Sequence, residues 1–259
     1  MAAPAHEVVA PPAWQCIDFI SDLHLAEDTP HTFAAARAYL LNTRADAVFI
    51  LGDLFEAWIG DDARFDGFEA TGAAVLAEAA TRKHLAFMVG NRDFLVGHAM
   101  LAACGVQALP DPTVLAAFEQ RVLLAHGDAW CIADLAYQQF RAQVRNPAWQ
   151  AQVLAKPLSE RRLMARGMRS ESERKLAEHS GGDTVDVDTA TALEWLRATH
   201  SHTLVHGHTH RPATELLAPG YTRHVLSDWE LDHASAARAQ VLRWRAEGWA
   251  RLTPAEALA

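Results

Sequence analysis

Cysteine is scarce in this chain: Cys16, Cys104 and Cys131 are odd in number, far apart and in no CxxC pair. That arrangement offers neither a disulfide framework nor a thiolate zinc knuckle, and it suits a reducing cytoplasm. Basic residues are outnumbered by acidic ones, giving a net charge of −9. General nucleic-acid affinity is thereby disfavoured, because phosphate-backbone binding is driven by accumulated Lys and Arg. The first fifteen residues contain no Lys or Arg and no apolar run long enough for a signal peptide or a membrane span, but they include Pro4, Pro11 and Pro12. They are expected to be a loose N-terminal tail, residues 1–15. Internal repeats are absent, and alanine enrichment is the only compositional bias.

What the chain does have is length and apolar content. With 259 residues, 50% of them hydrophobic, it can bury one sizeable core, and residues 16–259 read as one α/β domain carrying insertions. Short apolar runs at residues 16–21, 47–51, 85–89, 122–125 and 203–205 each stop abruptly at Gly, Asp, His or Asn. Such runs are strand-length, and their two-sided apolarity fits strands buried under helices. Ala-rich patterns with spaced apolar positions at 32–42 and 67–83 predict helices between the first three, hence a β-α-β-α-β start with a parallel sheet. Alternation at 223–226 and 238–244 predicts antiparallel strands completing a second sheet.

Residues 134–182 differ, with helical apolar spacing at Leu135, Phe140 and Val144 and again from Val153 to Met168. They read as an inserted helical lid, closed by Gly181-Gly182, with residues 188–198 returning to the main domain as a helix. From Arg141 to Lys175 there are nine basic and three acidic residues, a local charge of +6 that leaves −15 elsewhere. Most charge runs are solvated helical faces.

The polar clusters at the strand ends are, in order, Asp22-Leu-His24, Gly52-Asp53, Gly90-Asn91-Arg92-Asp93, His126-Gly127 and Gly207-His208-Thr-His210. In open α/β sheets ligands bind beyond the carboxyl ends of strands. A single strand-end Asp or His is more often a cap than a ligand; five such clusters behind five buried strands reverse that balance. The set resembles the D-x-H, GD, GN, H and GHxH signature of the calcineurin-like metallophosphoesterases over residues 22–210. The resemblance implies a four-layer α/β/β/α sandwich with two divalent ions at the sheet edge. One ion would be held by Asp22, His24 and His210, the other by Asn91, His126 and His208, with Asp53 bridging. Carboxylate, imidazole and amide donors without thiolate suit a borderline-hard ion such as Mn²⁺. His206 is expected to alternate away from the site. The HxHxDH signature of metallo-β-lactamase-type hydrolases is missing.

Longer segments narrow the resemblance. GDLFEAWIGDD at 52–62, GNRDF at 90–94 and YQQFR at 137–141 are similar to those of the UDP-2,3-diacylglucosamine diphosphatase family of lipid A biosynthesis. Position 92, usually His in the wider superfamily, is Arg; its fork can hold phosphate oxygens but cannot serve as an acid near neutral pH. The resemblance therefore implies water attack on the uridine-side phosphorus of an acylated nucleotide-sugar. Asp53, Asn91, Arg92 and His126 would be catalytic, and Asn91, Arg92, Asp134, Tyr137, Arg169, Ser172, Lys175 and His208 would contact substrate. It also implies a cytoplasmic enzyme in peripheral contact with the inner membrane, without nucleic-acid partners. Phe55, Trp58 and Ile59 fit core packing and substrate contact equally. A same-fold pyrophosphatase or phosphodiesterase acting on a soluble nucleotide-sugar or dinucleotide is the alternative.

Overall fold

A computed structural model describes residues 6–178 and 185–259, except the side chains of residues 172, 173, 175–178 and 236. Strands β2 (Ile17–Ile20), β3 (Ala47–Leu51) and β4 (His84–Met88) pair in parallel, joined by helices α1 (Pro30–Asn42) and α2 (Gly67–Ala80). Helix α3 (His98–Ala103) leads to β5 (Gln107–Leu109), which extends this sheet in parallel beside β4. On the other side, β11 (Val241–Arg245) and β12 (Gly248–Leu252) complete the order β12-β11-β2-β3-β4-β5.

The second sheet has the order β1-β6-β7-β8-β10-β9. It comprises β1 (His6–Val9), β6 (Thr113–Ala117), β7 (Gln120–Ala125), β8 (Thr203–His206), β9 (Ala213–Ala218) and β10 (Tyr221–Val225). Between β7 and β8 lie α4 (Leu135–Val144), α5 (Pro147–Leu154), α6 (Leu158–Glu178) and α7 (Thr189–Ala198). Gly181 and Gly182, expected to end the lid, lie outside the described residues.

The layering follows from strand alternation. Phe19, Phe49 and Met88 point into an inter-sheet core with Leu115, Leu124 and Val205. Their neighbours Ile20, Ile50 and Phe87 point the opposite way, against Tyr39 and Leu40 of α1 and Leu76 of α2. On the far face of the second sheet, Val114, Leu123 and Leu204 pack on Ala192 and Leu196 of α7. Helices, two mixed sheets and helices therefore form the four layers of an α/β sandwich.

Two expectations are corrected. The stretch through residue 15 is no loose tail from His6 onward: β1 pairs in parallel with β6, Val8 is buried, and the Trp14 ring lies 5.0 Å from that of His84. The two late strands also fall in different sheets, β10 running parallel to β8 while β11 runs antiparallel to β2 in the first sheet. Period-two alternation marks a strand and its buried face; it carries no information about the partner or its direction. Among the described residues, no helix is long and apolar enough to cross a membrane.

Candidate metal centre

All seven expected ligands converge where the carboxyl ends of β2, β3, β4, β7 and β8 meet. The chain turns sharply there: Asp22, His24, Asp53, His208 and His210 all have positive φ, between 48° and 68°. Left-handed backbone costs a non-glycine residue roughly 1–2 kcal/mol, so five cases in one place mark a geometry imposed by the surroundings. The loops continue the sheet ladder past the strand ends, with Asp22 N donating to Gly52 O (3.1 Å) and His24 N to Asp53 O (3.0 Å). Two glycines admit the carboxylates: a Cβ on Gly90 would collide with Asp53, and one on Gly207 with Asp22.

In one half of the site His24 Nε2 and His210 Nε2 face each other at 3.3 Å, with Asp22 Oδ1 3.4 Å from His210 Nε2. In the other, Asn91 Oδ1 is 2.9 Å from His126 Nε2 and 2.8 Å from His208 Nδ1. Asp22, His24 and His210 form one compact group of potential ligand atoms, and Asp22, Asp53 and His126 form another. Asp22 thus belongs to both groups, while Asp53 Oδ2 lies 3.8 Å from His126 Nε2. The other nitrogens of three imidazoles are engaged: His24 Nδ1 by Glu56 (3.0 Å), His126 Nδ1 by Leu51 O (2.8 Å) and His210 Nδ1 by Asp228 (3.5 Å). Such outer partners fix ring orientation and tautomer in metal sites. Clustered carboxylate, imidazole and amide donors with supported rings fit divalent ions.

The charges are mutually adjusted. Burial opposes ionisation of Asp22, but a hydrogen bond from His210 and the fields of His210, His126 and His24 hold it well below the usual carboxylate range. Burial likewise opposes protonation of His126, yet Asp53, Asp128 and Asp22 raise it to about 9. Burial and the nearby His126 depress His208 to about 3. His206 is turned away: fully buried, with Nδ1 2.8 Å from Gly207 O and no partner at Nε2 among the described residues.

Around the ligands, Arg92 donates its backbone N–H to Asp53 Oδ1 (2.8 Å) and reaches Glu56 through its guanidinium (3.2 Å). The Tyr137 ring lies 5.5 Å from that of His208, and its hydroxyl donates to Asp128 (2.7 Å). Arg169 of α6 pairs with Asp28 (3.0 Å) and lies 3.8 Å from Glu56. Asp134 caps α4, its carboxylate accepting from Tyr137 N (2.9 Å). Ser172 and Lys175 lie on α6 with side chains outside those described. Phe55, Trp58 and Ile59 are all buried, which decides for core packing. The basic run is largely matched by acids: Arg141 by Asp128, Arg161 by Asp62, and Arg162 by Asp66 and Glu69.

Four supporting acids were given no role from the sequence: Glu56, Asp93, Asp128 and Asp228. Asp93 accepts from Gly90 N (2.7 Å) and Leu54 N (2.8 Å), tying the GN loop to the GD loop. Proximity was the available signal for three of them, since each follows a ligand by two or three residues. Asp228 had none.

A model of the calcineurin-like phosphoesterase family matches residues 17–212. The UDP-2,3-diacylglucosamine hydrolase of Chromobacterium violaceum is 47% identical over 220 residues, covering 82% of this chain and 90% of that protein. The enzyme of that name from Xanthomonas campestris pv. campestris (strain B100) is 42% identical over 246 residues, covering 90% and 96%. That of Aromatoleum aromaticum is 43% identical over 236 residues, covering 89% and 93%.

Proposed function

We propose, since the chain belongs to the calcineurin-like phosphoesterases and within them to the UDP-2,3-diacylglucosamine hydrolases, that it hydrolyses the pyrophosphate of UDP-2,3-diacylglucosamine. The products are UMP and 2,3-diacylglucosamine 1-phosphate. The observation that carries this is the convergence of seven oxygen and nitrogen donors beneath Arg92 and Tyr137. Two divalent ions, for which Mn²⁺ is our assignment, would be held by Asp22, His24, Asp53, Asn91, His126, His208 and His210. When bound they supply an acidified water and charge neutralisation on the phosphoryl oxygens.

The chain's own groups do the rest. Arg92, anchored through its backbone on Asp53, offers two-point contact to phosphate oxygens and disperses charge on a departing phosphate monoester, which needs no proton. Water attack then falls on the uridine-side phosphorus. Arg169 lies on the same side as Arg92, both within reach of Glu56. Leu135, Phe140 and Leu163 are large apolar side chains left exposed on α4 and α6. They suit acyl chains, which gain about 0.8 kcal/mol per buried CH₂. We place the enzyme in the cytoplasm, working at the inner-membrane surface.

The test is a substrate panel with purified protein and Mn²⁺. UDP-2,3-diacylglucosamine should be cleaved far faster than UDP-N-acetylglucosamine or bis-p-nitrophenyl phosphate; equal rates on the two nucleotide-sugars would favour a soluble substrate. Hydrolysis in ¹⁸O-water should label UMP and leave the lipid product unlabelled. Label in the lipid product would reverse the orientation of the pyrophosphate.

A further inference from the structure

Glu56 touches three functional parts at once. One carboxylate oxygen lies 3.0 Å from His24 Nδ1, and the other lies 3.2 Å from the Arg92 guanidinium and 3.8 Å from Arg169 Nε. Its side chain is 14% exposed, less than any of these partners, at 20% for His24, 28% for Arg92 and 37% for Arg169. The backbone holds it there: Glu56 N donates to Leu25 O (3.1 Å), Leu25 N donates to Leu54 O (2.9 Å), and the buried rings of Phe55 and Trp58, close by in the chain, pack on each other at 4.8 Å.

A carboxylate only accepts hydrogen bonds. Glu56 therefore fixes the proton of His24 on Nδ1 and leaves Nε2, which faces His210, with its lone pair directed into the site. The same group gives two guanidiniums, one from the GN loop and one from α6, a shared anionic partner. Cation binding at His24 Nε2 polarises the imidazole, makes Nδ1–H a stronger donor and holds the carboxylate in one rotamer. A carboxylate so held is a better-defined partner for Arg169 than a mobile one.

We propose that Glu56 is a positioning residue that couples metal occupancy to docking of helix α6. The coupling rests on the two-ion reading of the site and does not depend on which phosphate compound is cleaved. Binding of an ion favours the docked helix, and by reciprocity the docked helix favours the ion. The nearby ion pair of Arg169 with Asp28 docks the same helix without touching an imidazole, so it provides a contrast inside the molecule.

Two measurements without substrate test this: Mn²⁺ titration followed by electron paramagnetic resonance, and amide hydrogen exchange of α6 with and without Mn²⁺. In the wild-type chain Mn²⁺ should slow exchange in α6. In Glu56→Ala one of the two Mn²⁺ equivalents should bind roughly 10–100-fold more weakly, the range for lost outer partners of metal ligands, and the Mn²⁺-dependent slowing should vanish. Asp28→Asn should speed exchange in α6 yet preserve its response to Mn²⁺. Glu56→Gln keeps an acceptor for His24 but carries no charge for two guanidiniums, so it should bind Mn²⁺ more tightly than Glu56→Ala, lose only the share of affinity that the docked helix supplied, and lose the α6 response. Unchanged Mn²⁺ affinity in Glu56→Ala would remove the first role. A persisting α6 response in either Glu56 variant, or its loss in Asp28→Asn, would remove the second. A failed substrate panel would leave these results standing, and their failure would leave the substrate assignment intact.

Discussion

Asp53 illustrates how one side chain serves two loops. It is 1% exposed, sits at φ 53°, accepts the Arg92 backbone N–H and approaches His126. Asp53→Ala should abolish turnover and lower metal content well below two per chain. The fold should survive, because removing this charge relieves its repulsion of the buried Asp93, which burial and Asp53 together raise to about 7. Full two-metal occupancy with normal activity would refute the ligand assignment. His126→Ala and His208→Ala should weaken the same metal position. His206→Ala should leave metal content unchanged, since burial holds that ring neutral, at about 4, and it faces Gly207 O. The convergence of the seven candidate ligands was legible in sequence because each lies within four residues of the end of a strand whose apolar run is visible. The partners of those ligands were less legible, since Asp228 meets His210, and Glu56 meets Arg169, only through folding.

At the level of elements, the helices between β7 and β8 are held by a few buried polar anchors. Asp128, directly after the His126 turn, receives Arg141 (2.9 Å) and the Tyr137 hydroxyl, which fastens α4. Arg161, 4% exposed, fastens α6 by donating to Asp62 (2.8 Å) and to the carbonyl of Ile59. All seven candidate ligands lie outside residues 147–182, so a shortened chain should keep its metal centre, with the weaker affinity expected once the docked α6 is gone. Replacing residues 147–182 by a short Gly/Ser linker should leave slow hydrolysis of bis-p-nitrophenyl phosphate while destroying cleavage of the acylated substrate. Equal loss of both in a folded, metal-loaded variant would argue against a lid that confers lipid selectivity. The helical character of this insertion was readable from its apolar spacing. Its basic run was misleading as a free surface, because most of the acids that match it lie outside it, as far as 141 residues away for Arg169 and Asp28. Similarly, β10 and β11 were recognisable as strands, but their assignment to different sheets depends on contacts that alternation does not encode.

The whole molecule carries the metal centre as an electrostatic load, and its stability should report that load as a function of pH. Without metal, His126 has its pKa raised from about 6.5 to about 9 against the opposing effect of burial, because Asp53, Asp128 and Asp22 surround it. A raised folded-state pKa stabilises the fold fully below the unfolded value and ceases to do so as pH climbs through the folded value. The metal-free protein should therefore lose melting temperature between about pH 6.5 and about pH 9. Metal binding requires a neutral imidazole, so an ion must displace that proton, and its apparent affinity should rise about tenfold per pH unit over the same window. At fixed free Mn²⁺ in excess of its dissociation constant, each tenfold adds about 1.4 kcal/mol of stabilisation. The difference in melting temperature between Mn²⁺-loaded and chelator-treated protein should consequently widen with pH and level off above about 9. Calorimetry in buffers of different ionisation enthalpy should register proton release on Mn²⁺ binding near neutral pH. A melting difference that stays flat or narrows across the window, with no proton released, would mean that His126 is already neutral before the ion arrives or is not among its ligands.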